Sequence, residues 1–132
     1  MEYKEITQEQ IPEVCAMYAA EGWNLYRDLD MVARAWKNSI YRLGAFQDGV
    51  LVGLIRCVGD GEFDLYVSDL LVKPDYRGKG IGKNLLKAAM EHFSHVDTFA
   101  LMTGLEEEQN QNFYRAMGMK EYKQNRLIGF LR

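Results

Sequence analysis

The chain has 132 residues, 48% of them hydrophobic and 27% charged, with a formal net charge of −3. That is the length and composition of one packed domain, expected over residues 1–132, and it excludes a disordered chain. The acidic balance, with a pI near 5.4, argues against nucleic acid as the main partner, because phosphate backbones need a basic footprint.

The first ten residues, MEYKEITQEQ, contain no apolar signal region, and no run approaches the apolar length of a membrane span. A cytoplasmic chain without a membrane partner is the simplest expectation. Glu2 to Ile6 alternates and reads as a short strand. Thr7 followed by Gln10 is a capping box, after which Ile11, Val14, Cys15 and Tyr18 share one helical face up to about Gly22. Trp23 to Asp28 reads as an aromatic loop, and Asp30 to Ser39 as a second helix. Cys15 and Cys57 fall in a helical and a strand pattern; they read as reduced core residues, and no spacing suggests a metal.

Arg42–Gln47 and Val50–Val58 flank Asp48-Gly49, which spells a two-residue hairpin turn. Gly59-Asp60-Gly61 then leads into a third strand, Glu62–Val72, so an antiparallel meander is expected. Pro74 ends it. A helix follows the glycine-rich segment up to about Ser94, with Ile81, Leu85, Ala88, Ala89, His92 and Phe93 turned inward. Thr98–Met102 is a short buried strand, and strand, glycine loop, helix and strand together make a βαβ unit with a parallel pair. A last helix spans about Glu107–Met117 and stops at Gly118. Met119–Tyr122 and Leu127–Leu131 would close the chain as a hairpin around Gln124-Asn125, whose edge could serve a homodimer. The order is β-α-α-β-β-β-α-β-α-β-β, an α/β class fold with one mixed central sheet flanked by helices.

The chemistry concentrates in Val72-Lys73-Pro74-Asp75-Tyr76-Arg77-Gly78-Lys79-Gly80-Ile81-Gly82-Lys83. This segment joins a strand to a helix N-terminus, where main-chain N–H groups lack intrahelical partners and the helix dipole is positive. Glycines at 78, 80 and 82 let the backbone approach an anion, and Arg77, Lys79 and Lys83 add charge, so a diphosphate is the natural occupant. A nucleotide loop with a Lys-Ser/Thr pair does not fit, since Lys83 precedes Asn84, and G-x-G-x-x-G does not fit either.

Arg77-x-x-Gly80-x-Gly82 after an apolar strand resembles the acetyl-CoA signature of the GNAT N-acetyltransferase superfamily, and the order of elements resembles that fold along nearly the whole chain. The resemblance implies acetyl-CoA (coenzyme A) as co-substrate, no metal, and transfer of acetyl to a primary amine of a small molecule or peptide by direct attack. A non-catalytic acyl-CoA-binding regulator is the alternative. It also implies that Leu70, Leu71 and Val72 offer main-chain groups to the pantetheine arm and acetyl carbonyl, and that residues 77–83 hold the pyrophosphate. Phe113, Tyr114 and Gly118 match a family pattern near the end of the last helix, with Met119 in place of an aromatic and Asn110 in place of an alanine. By that match Tyr114 is the general acid toward the departing CoA thiolate. A carboxylate would serve as base, with Asp69 first, then Glu62 and Asp64, or water alone; a structural role for Asp69 competes. In the fold so implied, Trp23-Asn24-Leu25-Tyr26 overhangs the acceptor, with Asp28 and Asp30 nearby as attractors of a cation or as helix caps. Trp36 reads as core, and His92 and His95 as capping or solvent-facing residues.

Overall fold

A computed structural model of the chain describes residues 1–23 and 28–132. They form two compact units, Met1–Leu101 and Met102–Arg132. The first contains β1 (Glu2–Glu5), α1 (Ile11–Ala20), α2 (Leu29–Lys37), β2 (Tyr41–Gln47), β3 (Val50–Gly59), β4 (Asp64–Val72), α3 (Ile81–His92) and β5 (Thr98–Ala100). The second contains α4 (Glu108–Ala116) and a 3₁₀ turn at Tyr122–Asn125.

The five strands lie in chain order in one sheet. β1 through β4 are antiparallel neighbours, and β5 runs parallel to β4. The capping box at Thr7 and Gln10 forms: the Thr7 amide donates to the Gln10 side chain at 2.8 Å and its hydroxyl accepts from the Glu9 amide. α2 begins one residue earlier than the pattern suggests, because the Asp28 carboxylate accepts the Met31 amide at 2.8 Å and so caps the helix. Asp28 is therefore a cap. Among the residues of the expected aromatic loop, Asn24, Leu25 and Tyr26 lie outside the described residues.

One sheet face carries α1 and α2, with Ile6, Val14, Met17, Trp36, Leu54 and Leu71 packed between the layers. Trp36 is 1% exposed, as expected of a core residue. On the other face α3 buries Ile81, Leu85, Leu86 and Ala89. The expected inward stripe included His92, but that residue is exposed and its ring lies 5.0 Å from Tyr41, while Leu86 takes the buried place. The buried arc runs through Ile81, Leu85, Leu86, Ala89 and Phe93, turned slightly away from Ala88 and His92 toward Leu86. Gly53 lets the start of α3 sit close on β3: a methyl group there would come within 2.9 Å of the Ile81 Cγ2.

The two closing strands are not formed. Glu121 and Gln124 make a reciprocal cap around the 3₁₀ turn, Arg126 adopts φ 60, and the Leu127 amide returns to the Tyr122 carbonyl at 2.9 Å. These local bonds satisfy the main chain that a hairpin would have used, and the hairpin signal at Gln124-Asn125 resolves as a helical turn. The five strands and flanking helices keep the mixed α/β class expected from the sequence.

Gly53→Ala is expected to cost about 1–3 kcal/mol through overpacking. In urea unfolding, its cost and that of Ile81→Ala should not add, the double variant being more stable than the sum of the single losses predicts. Additivity would mean that the contact is relieved elsewhere.

Candidate functional site

β4 is held from both sides only at its start. β5 pairs with it over Asp64, Leu65 and Tyr66 and no further, whereas β3 accompanies it to Val72. The Lys73 amide donates to the Val52 carbonyl at 2.9 Å, which fixes the phase: Lys73, Leu71 and Asp69 turn their main-chain groups toward β3. By the two-residue alternation, Leu70 and Val72 turn theirs to the opposite edge, past the end of the β5 pairing. The Val72 carbonyl there accepts from Arg77 Nε at 2.9 Å. The Leu70 amide and carbonyl and the Val72 amide thus point where β4 has no strand neighbour. Leu71 differs from these two: its main chain serves the β3 ladder and its side chain, 6% exposed, joins the α1/α2 core.

After β4 the chain makes a 3₁₀ turn at Pro74–Tyr76. Gly78 and Gly80 follow with φ 73 and 83, a region that only glycine enters at little cost. A methyl group at either would meet nothing within 4 Å, so the space in front of them is open. The first helical bond of α3 runs from the Asn84 amide to the Gly80 carbonyl, and no side chain caps the helix. The amides of Ile81, Gly82 and Lys83 consequently have no intrahelical acceptor, and they converge with the positive end of a 12-residue helix. These are the donors a pyrophosphate needs. Lys79 and Lys83 are exposed beside them, with the Lys79 ammonium 5.4 Å from the Tyr76 ring centroid. Arg77 is occupied differently. Besides its bond to Val72, its guanidinium pairs with Glu21 at the end of α1, so it straps the loop to β4 and α1, and Lys79 and Lys83 are the cations left beside the amides.

Asp69 is 4% exposed. Its Oδ2 accepts from the Tyr18 hydroxyl at 2.5 Å and from Arg56 Nε at 2.6 Å. Trp36 Nε1 donates to the Tyr18 oxygen at 3.0 Å, and Arg56 also reaches the Ser39 hydroxyl at 3.1 Å. The structural reading of Asp69 is the one these contacts support. Glu62 and Asp64 are exposed at the start of β4. At about 3.3 Å per residue, Asp64 lies roughly 20 Å along the strand from Leu70.

A register shift between Arg56 and Cys57 leaves Ser68 as an extra residue on β4. Directly paired residues share a face. Asp69 pairs with Arg56 on the α1/α2 face, whereas Val67 pairs with Cys57, and Cys57 with Tyr41, whose ring meets Phe93 of α3. Strict alternation predicts Val67, Asp69 and Leu71 on one face. The bulge puts Val67 on the other, and it was not legible because alternating burial survives on both sides of it. Tyr18 and Arg56 were likewise missed. A lone cation inside the apolar run Val50–Val58 was the available signal, since a charge there needs a buried partner.

Beside the loop, on the α1 side, a cleft of about 320 Å³ is lined by Met17, Ala20, Glu21, Leu71, Pro74 and Tyr76. His95, by contrast, braces a turn, its Nε2 lying 2.7 Å from the Gly61 carbonyl. Among the described residues no group of three His, Cys, Asp or Glu side chains is arranged to hold a metal ion.

In the second unit α4 ends in a full C-terminal cap. The Gly118 amide donates to the Arg115 carbonyl at 3.0 Å and the Met119 amide to the Tyr114 carbonyl at 3.1 Å, with Gly118 at φ 88. This fixes the Tyr114 backbone, and its ring meets Phe113 edge-on at 5.3 Å. Burial raises the Tyr114 pKa, so the phenol keeps its proton at neutral pH.

Residues 5–119 match the model of the acetyltransferase (GNAT) family. A GNAT-family acetyltransferase structure from Streptococcus pneumoniae TIGR4 is 34% identical, with a TM-score of 0.86 over 99% of this chain and 94% of that one. An AAC(6')-Iy complex with a CoA-containing bisubstrate analog has a TM-score of 0.78 over 99% of this chain and 96% of that one, at 17% identity, and shares the fold. An uncharacterized N-acetyltransferase ycf52 of Gracilaria tenuistipitata var. liui is 29% identical over 74% of this chain and 54% of its own length. The chain spans about half the length of the first curated relatives it matches.

Two outcomes follow from this geometry. Gly80→Ala and Gly49→Ala impose the same left-handed strain, at φ 83 and 80, and each is expected to cost about 1–2 kcal/mol. Only Gly80→Ala should abolish the rise in melting temperature on adding coenzyme A; equal loss in both would remove the loop from the site. The second concerns pH. Burial, then Asp69, hold the Tyr18 phenol above its ordinary value of 10.0. The unfolded chain therefore ionises first, and the stability due to neutral Tyr18 is fully present below pH ~10 and lost as pH rises beyond it. In urea titrations the advantage of wild type over Tyr18→Phe should be constant from about pH 7 to 9 and shrink above about pH 10.

Proposed function

The chain belongs to the GNAT acetyltransferase family, and from that premise we propose that it transfers acetyl from acetyl-CoA to a primary amine by direct attack. The observation that carries the reading is the convergence, within fourteen residues of sequence, of open β4 amides at Leu70 and Val72 with the uncapped amides at the start of α3. Those two donor sets suit a molecule with a carbonyl at one end and a diphosphate further along. The fit is supported by the open space in front of Gly78 and Gly80.

In this reading the amides of Ile81, Gly82 and Lys83, with Lys79 and Lys83, hold the pyrophosphate. The Leu70 and Val72 amides hold the acyl oxygen and stabilise negative charge developing there. The thioester supplies an activated acyl group and a sulfur leaving group. Tyr114 gives its proton to that sulfur, a role that suits a phenol kept protonated by burial. The amine approaches from the α1 side, where the cleft against Leu71 offers an apolar wall and the exposed Asp75 carboxylate a counter-charge. Asp69 being engaged by Arg56 and Tyr18, the amine's proton leaves through water.

Thiol release from acetyl-CoA with a panel of amines tests the proposal. Tyr114→Phe is expected to lower kcat on the order of 10²-fold, in line with general-acid contributions, while calorimetry finds coenzyme A affinity unchanged. Wild-type turnover in that variant would remove the phenol from the mechanism. Coenzyme A binding without turnover of any amine would favour the regulatory reading.

A further inference from the structure

The Asp69 cluster takes no part in the chemistry above, yet it sits one residue before the Leu70 amide. Four elements meet in it: α1 through Tyr18, α2 through Trp36, β3 through Arg56 and β4 through Asp69. Ser39, just beyond α2, receives Arg56 at 3.1 Å and donates to the Ala35 carbonyl at 2.7 Å. Tyr18, Trp36, Ser39 and Asp69 are all 6% exposed or less.

A buried ion pair of this kind is a poor way to gain stability, because desolvating both charges cancels much of their attraction, and apolar residues of similar volume serve as well or better. What it does supply is direction. Ion pair and hydrogen bonds act at fixed distances, and here the bonds from Tyr18 and Arg56 act on the residue that follows the β4 bulge at Ser68. A bulge is a local slip of register, and nothing in an apolar contact tells β4 where to place it. The Asp69 side chain can reach Arg56 and Tyr18 only from the α1/α2 face, which it occupies only with the extra residue at Ser68. The peptide unit that joins Asp69 to Leu70 carries the Leu70 N–H, so the torsions on either side of that bond set where this donor points.

We propose that Tyr18, Asp69 and Arg56 are positioning residues for acyl transfer: by pinning the β4 bulge they fix the direction of the Leu70 and Val72 amides toward the acyl oxygen. The inference rests on the acetyl-transfer reading of the same strand. It assigns the cluster no contact with substrate. It also separates two properties of the site, because the pyrophosphate donors at 81–83 are braced by other contacts, Asn84 to the Tyr3 hydroxyl at 3.0 Å and Ile81 on Gly53. Disturbing the cluster should therefore misaim the acyl donors and leave the grip on coenzyme A intact.

The test compares wild type with Tyr18→Phe, which keeps the ring and removes the hydroxyl from Asp69 and from Trp36. Wild type is first assayed for coenzyme A binding and amine acetylation; absence of either sinks the functional reading itself, independently of this inference. In folded Tyr18→Phe, kcat is expected to fall about tenfold to a hundredfold, the scale of a small misplacement of catalytic groups, with coenzyme A Kd within about twofold of wild type. A readout that does not need turnover is the amide spectrum by nuclear magnetic resonance. Going from coenzyme A to acetyl-CoA should move the Leu70 and Val72 amide signals in wild type and much less in the variant, while the Ile81, Gly82 and Lys83 signals respond alike in both. Unchanged kcat and an unchanged Leu70 response would overturn the proposal. So would a parallel loss of coenzyme A affinity, which marks general structural damage. Where Tyr18→Phe does not fold, Ser39→Ala, which frees one arm of Arg56, takes the same comparison with an expected kcat loss of about threefold; wild-type kcat there would be equally fatal.

Discussion

A strand supported on one side exposes main-chain donors on the other, and that asymmetry of β4 governs this molecule. Among the described residues the strand has β3 alone as a ladder partner beyond Tyr66. Unpaired main-chain groups are costly when buried and invite pairing when exposed, so an edge of this kind persists only where something else holds the strand straight. Here the restraints come from below and from the end. The Asp69 cluster anchors the middle of the unsupported stretch to three other elements, and Arg77 closes its last carbonyl. Leu71 adds the apolar component by inserting into the α1/α2 core. The result is a row of donors that is rigid without being paired.

The electrostatics follow the same economy. With a net charge of −3 the chain has no general attraction for phosphates, and the attraction is made locally. Three uncapped amides, a helix dipole and Lys83 occupy the first turn of α3, with Lys79 just before it, so their fields add over a short distance. The pairing of Arg77 with Glu21 removes one cation from that set. Exposed ion pairs contribute little stability, so its value lies in fixing the loop against α1, and with it the distance between the open β4 amides and the uncapped α3 amides. Placing Arg77 in the strap and Lys79 and Lys83 at the rim suits their chemistry: the planar guanidinium holds a carbonyl and a carboxylate at once, while the ammonium groups sit on flexible, exposed stems.

Much of this was legible in the chain because it is local. The Thr7–Gln10 cap, the Asp48-Gly49 turn and the glycine loop between β4 and α3 each depend on residues a few positions apart, whose conformational demands are nearly independent of context. The periodicity of β2, β3 and β4 gave the meander, and the βαβ rule gave the parallel pair. What was not legible is non-local. Tyr18 and Asp69 are 51 residues apart, and in the sequence Tyr18 looks like one more apolar residue on the α1 face. The bulge at Ser68 cannot be read from burial because Leu65, Val67, Asp69 and Leu71 are all buried, merely against different layers. The closing hairpin failed for the opposite reason: its local signal at Gln124-Asn125 was real, but it was equally compatible with the capped 3₁₀ turn that Glu121 and Gln124 build.

The two roles considered for Asp69, base or brace, make incompatible demands on a carboxylate. A base must meet its substrate and exchange protons within reach of water. A brace must keep its charge and its partners. Two donors within 2.6 Å of one oxygen, one of them a guanidinium, hold Asp69 Oδ2 in place from two elements at once. Burial at 4% exposure withholds the solvent through which a proton would travel. The contacts of Asp69 are those of a brace: they tie it to Tyr18 of α1 and Arg56 of β3, and with it the residue that follows the bulge.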